Sequence, residues 1–148
     1  MTPKIPDVLH ELAALVARNA MPDVDPADRA SALGLSSMLL SIAAQEWDRA
    51  AARLVEENAM IRALLAEAPG ALGEGELGER LWDLSASQEQ DLRICALEAS
   101  NAVLRAALIE LHAALEAAPG EAARRLEAAI WEELRASTER RQVAGAPV

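Results

Sequence analysis

Apolar residues recur along this chain with the period of helices. Leu33, Leu40, Trp47, Leu54 and Ile61 stand seven residues apart, and the positions four further on are Ser37, Ala44, Ala51, Asn58 and Leu65. Large residues alternate with small ones in a 4-3 rhythm, the spacing at which one helix sets knobs into the holes of another. A second stripe through Leu35, Met38, Leu39, Ile42, Val55 and Leu64 widens the apolar face. No strong stop falls between Pro26 and Pro69-Gly70, so the pattern predicts a helix over about 26–67, bent near Gly34. Asp25 supplies its N-cap carboxylate, and Pro26 takes the first helical position, where no N–H is missed.

The flanking segments read as shorter helices and connections. Pro3 and Pro6 keep the start extended, Asp7 caps a helix to about Ala20 with Val8, Leu9, Leu12, Leu15 and Val16 as its stripe, and Pro22 breaks it. The stretch 68–85 carries glycines at 70, 73, 75 and 78, which predicts a flexible Gly-rich connection with a short helical turn near 79–84. Leu77, Leu81, Trp82 and Leu84 would anchor it. Ser85 with Gln88 fits a capping box for a helix over about 86–118, whose seam is Gln90, Ile94, Leu97, Asn101, Leu104, Leu108, Leu111 and Leu115. After Pro119-Gly120, a last helix over about 121–142 has Ala123, Leu126, Ile130, Trp131 and Leu134 on one face, and 143–148 is a loose tail.

The two long predicted helices are related. Gln45, Glu46, Asp48, Leu54, Asn58, Ala59, Arg62, Ala63 and Leu65 return in the same order as Gln88, Glu89, Asp91, Leu97, Asn101, Ala102, Arg105, Ala106 and Leu108. We read a duplicated helix forming the spine of an all-α, up-and-down bundle with coiled-coil-like packing, one domain over 1–148 with two long helices and two shorter ones. Composition agrees: hydrophobic residues make up 52% and aromatics 2%, all of the latter Trp, so the core is built of aliphatic side chains and helix is favoured over sheet. A helix of some forty residues is about 60 Å long. It outruns the short helices, so part of its face calls for a second subunit, and a homodimer or another protein partner through helical faces is expected.

Charge narrows the function classes. A formal net charge of −10 repels phosphate backbones and anionic lipid, and the basic residues are scattered, so neither nucleic-acid nor membrane binding is expected. The longest apolar run, 33–44, is too short to span a bilayer, and no signal peptide is visible at the N-terminus. A single cysteine, Cys95, rules out an intrachain disulfide and reads as a small core or boundary hydrophobe. These features, with Arg used far more than Lys, predict a bacterial cytoplasmic protein.

The residues with chemistry to offer are few. Asn58 and Asn101 lie on the seam, each followed four residues later by an arginine, Arg62 and Arg105. A buried Asn costs stability and fixes register; if the two long helices are antiparallel neighbours, the amides can satisfy each other. The alternative is a small-ligand pocket lined by Asn58, Asn101, Arg62, Arg105, Trp47 and His112. Glu46 with Asp48, and Glu89 with Asp91, read as solvated helical carboxylates paired with Arg49 or Arg93, and neither histidine has the Glu-x-x-His spacing of a carboxylate-bridged metal site. No metal, cofactor or catalytic residue is expected. His112 reads as a hydrogen-bonded boundary residue, and the glycines of 70–78 form no phosphate loop.

The segments Glu56–Leu65 (EENAMIRALL) and Ala99–Leu108 (ASNAVLRAAL) resemble the Asn-and-Leu pattern of leucine-zipper helices. No basic region precedes either, so the resemblance implies helix pairing and not DNA binding. The reading is a non-enzymatic helical interaction or assembly module; the alternative is a ligand-binding regulatory bundle with a polar internal pocket.

Overall fold

The computed structural model describes residues 5–20, 27–73 and 75–142, and it is an all-α bundle. The expected Asp25-Pro26 start, the break at Pro22 and the 143–148 tail lie outside the described residues. Helix α1 spans Ile5–Ala20, so Pro6 and Asp7 sit inside its first turn rather than ahead of it. Helix α2 spans Ala27–Ala66, close to expectation. Pro69, which lacks an N–H and crowds the preceding turn, ends that helix and lies in the first turn of α3, Ala68–Leu72.

The connection expected to be mostly loop is instead largely helical: α3 is followed by α4, Glu76–Ser85. Leu81 is fully buried, and Leu77 and Leu84 pack against the core, as the pattern implied. Trp82 does not anchor it, being 54% exposed. Gly78 is buried where α4 crosses α3, and a Cβ there would stand 3.4 Å from the Pro69 Cα.

The largest departure is at 86–93. Ser85 Oγ donates to the Trp82 carbonyl at 2.6 Å, ending α4 rather than capping the next helix. Residues 87–92 belong to no helix, and α5 runs Ile94–Ala117. The polar side chains of this segment are committed elsewhere: Asp91 accepts from the Arg93 N–H at 2.9 Å, closing a local turn, while Ser87 and Glu89 reach into the bundle. Gly120, at φ +115° where a side chain is strained, turns the chain into α6, Glu121–Arg140.

The chain forms two compact units, one within residues 5–50 and one over Ala51–Gln142. In the second, Ile61, Leu65, Leu81, Leu104, Leu111, Leu126 and Ile130 are at most 1–2% exposed and share one core. Full burial of each such side chain contributes roughly 1.5–3 kcal/mol. Trp131, expected in that core, is 49% exposed. Arg141 reaches Glu57 while Leu126 lines a groove with Ala66 and Gly70, so α6 runs opposite to α2. The short Pro119-Gly120 turn makes α5 and α6 antiparallel as well. Helices α2 and α5 therefore run parallel, correcting the antiparallel arrangement supposed for them. The segment from α4 through residue 93 carries the chain back down the bundle so that α5 can rise beside α2.

In the first unit the Ser37 hydroxyl of α2 donates to the Ala13 carbonyl of α1 at 3.0 Å. Among the described residues, no helix is long and apolar enough to cross a membrane.

Candidate functional site

The duplicated Asn-x-x-x-Arg motifs come together in the second unit. Parallel packing sets Asn58 of α2 level with its counterpart in α5, and the Asn101 Nδ2 donates to the Asn58 Oδ1 at 2.8 Å, between residues 43 apart. The Asn58 Nδ2 donates to Glu89 Oε1 at 3.0 Å and to the Leu97 carbonyl at 3.3 Å. With Asn58 fully buried and Asn101 7% exposed, both N–H groups of the Asn58 amide and its oxygen are matched by protein atoms.

The arginines turn inward onto carboxylates. Arg62 donates through Nη1 to Glu89 Oε1 at 2.7 Å, through Nε to Ser87 Oγ at 3.0 Å and through Nη2 to Ser100 Oγ at 3.2 Å. Arg105 Nη1 donates to Glu57 Oε1 at 2.6 Å, and Arg141 Nη2 grips both oxygens of that carboxylate at 2.8 and 2.7 Å. Glu57 and Ser100 occupy equivalent places in the two copies. The contacts thus cross reciprocally: Arg105 of the second copy reaches Glu57 of the first, and Arg62 of the first reaches Ser100 of the second. Such exchange is the contact rule of a twofold interface, here built inside one chain.

Electrostatics follow from this geometry. Burial alone would raise the Glu57 carboxyl, which is 1% exposed, but hydrogen bonds from Arg141 and Arg105, with a further one from Asn101, hold it below its ordinary value. Glu89 is likewise held low, burial being outweighed by Arg62 and Asn58. Glu133 is the exception. Burial raises it, the ion pair with Arg140 offsets this only in part, and the Glu57 and Glu56 charges raise it further.

The other expected site residues stand apart from this network. Trp47 belongs to the first unit and is 58% exposed, although it falls on the heptad seam. His112 lies about three turns beyond Asn101 on α5. Its ring meets Trp131 edge-on, centroids 5.3 Å apart, and its buried Nε2 has no partner, so it is not the hydrogen-bonded residue expected. Cys95 is exposed rather than packed. Glu89 is not a solvated helical carboxylate but a half-buried member of the network in a non-helical segment. Asp91 does pair with Arg93, through a turn and not along a helix. Among the described residues, no group of three or more His, Cys, Asp or Glu side chains is placed to hold a metal ion.

Sequence reasoning missed Glu57, Arg141 and the Glu133–Arg140 pair. The signal for Glu57 was available: it flanks the seam position of Asn58, where a charge meets the neighbouring helix. Arg141 gave none, because its position follows from where α6 ends.

The chain matches no protein-family model, no curated protein and no solved structure.

Proposed function

We propose that this protein is a non-enzymatic helical interaction or assembly module, acting through its outer helical faces in the cytoplasm of a bacterium. The observation that carries this reading is the closure of the polar interior. The groups best suited to hold a small ligand, Asn58, Arg62, Asn101 and Arg105, are turned onto one another and onto Glu57 and Glu89. An anionic ligand would have to displace a carboxylate from each arginine and repay the loss of charge-assisted bonds. The outer faces, in contrast, hold large apolar side chains in contact with water: Trp82, Leu92, Val103, Ile109 and Trp131 are between 49% and 70% exposed. Where such side chains form a contiguous patch, they mark an association surface.

A thermal-shift and Trp-fluorescence screen of the full chain against small metabolites tests the reading. None should stabilise the fold through the network. An anionic compound that raises Tm, with the rise abolished in Arg62→Gln, would establish instead the alternative, a ligand-binding regulatory bundle.

A further inference from the structure

Among its described residues, the first unit fully buries only small apolar side chains. Its buried hydrophobic residues among those described are all alanines, Ala13 at 4%, Ala44 at 0% and Ala50 at 8% exposure. Six of its larger side chains face water: on α1, Val8 is 38%, Leu12 43% and Leu15 48% exposed, and on α2, Leu35 is 52%, Met38 43% and Leu39 53%, while Leu9, Val16, Leu33, Leu40 and Ile42 are partly buried. Two helices alone fully bury few large apolar side chains, and four helices are the usual way to supply a core.

The α1 face itself says what covers it. Val8, Leu12 and Leu15 line one groove with Asp7 and Glu11 toward one end and Arg18 at the other. Turned end for end, this surface matches itself. With Leu12 opposite the partner's Leu12, Val8 falls within one position of the partner's Leu15, and Asp7 within one position of the partner's Arg18. Self-complementarity of this kind is what a twofold contact demands of a single patch. A parallel arrangement would set Asp7 against Asp7 and Arg18 against Arg18, which like-charge repulsion disfavours.

We propose that a second copy of this chain covers α1, the two helices packing antiparallel about a twofold at Leu12. This names one partner for the interaction module and rests on that reading. It makes the first unit a four-helix assembly shared between two chains, with α2 contributing Leu35, Met38 and Leu39 to its flank.

The test uses the full chain. Light scattering after size exclusion should give a dimer at about 10 µM, and Leu12→Arg should weaken it by about 100-fold while the helical circular dichroism is kept. Orientation is read in a Cys95→Ser background with a short bis-maleimide. Leu12→Cys should crosslink to itself, Val8→Cys alone should not, and a mixture of Val8→Cys and Leu15→Cys chains should. Exchanging the charges, Asp7→Arg with Arg18→Asp, should restore a dimer that either change alone weakens. A monomeric wild type, or a dimer indifferent to Leu12→Arg, overturns the proposal, and self-crosslinking of Val8→Cys overturns the antiparallel arrangement. None of these outcomes touches the broader reading, which stands or falls on ligand binding at Arg62.

Discussion

The Asn101 side chain donates to that of Asn58 at 2.8 Å, and the two residues are equivalents in a repeated sequence. An amide facing its own counterpart is satisfied only when the two helices are level at that position. A shift of one turn along α5 would leave Asn58 opposite apolar residues, an unpaired buried amide costing about 1–3 kcal/mol. The pair therefore acts on register, and the crossed contacts of Arg62 with Ser100 and Arg105 with Glu57 act with it.

Asn58→Leu and Asn101→Leu should each destabilise by about 1–3 kcal/mol, because each leaves the other amide short of a partner. Asn58→Leu should cost more, since the Asn58 amide also serves Glu89 and the Leu97 carbonyl. The double variant should fall short of the sum of the singles by at least about 0.5 kcal/mol. Urea unfolding of the four proteins measures this coupling, and strict additivity would rule out an energetic contact between the amides.

How much of this was legible beforehand depended on what kind of interaction decided each element. Helix α2 and the core residues Ile61, Leu65, Leu104 and Leu111 followed from apolar spacing, because burial of a stripe is a local pattern repeated many times. The start of α5 did not. Ser85 and Gln88 satisfy a local capping rule, but Ser87 and Glu89 gain more from Arg62 and Asn58, residues at least 25 positions away in sequence. Parallel pairing escaped for the same reason: it depends on the path of 68–93, which composition marks only as breakable. Trp82 and Trp131 misled because large apolar residues were assigned inward by type, while both lie on the outer side of their helices.

Arg62→Lys tests whether the non-helical segment 87–92 is held by geometry rather than charge. One ammonium cannot reproduce the fork that serves Ser87, Glu89 and Ser100 together. Stability should fall by about 1–2 kcal/mol, and amide hydrogen exchange should quicken over 86–93 more than over α5 or α6. Uniform exchange changes across the unit would mean that the arginine supports the core generally and does not pin this segment.

Gly120→Ala probes the turn into α6. The residue sits at φ +115°, which an L side chain adopts only with strain, although a Cβ would meet no atom within 4 Å. The cost should thus be conformational, about 1–2 kcal/mol, and visible as a lowered Tm with unchanged helix content. No change in Tm would mean that the turn relaxes without resistance.

The carboxylates of the second unit predict an unusual dependence of stability on pH. Glu57 and Glu89 are held below the ordinary value of 4.5, so their contribution is present above that value and is lost as pH falls through their folded pKa. Glu133 is raised above 4.5, so the folded state takes up its proton first and gains stability as pH falls toward 4.5. The two effects place the maximum of stability in mildly acidic solution, just above 4.5, rather than at neutrality. Urea unfolding between pH 3 and 7 measures the profile. Glu133→Gln should remove the rise between neutrality and the maximum while leaving the acid-side fall, because the amide has no proton to gain. Glu57→Gln should shrink the acid-side fall, to which Glu89 still contributes, and should also lessen the rise, because the Glu57 charge helps to raise Glu133; it should destabilise at pH 7, since it leaves Arg105 and Arg141 facing a neutral group. A profile that climbs steadily from pH 3 to 7 in the wild type would show that Glu133 is ionised in the folded protein at little cost, and that Arg140 fully compensates its burial.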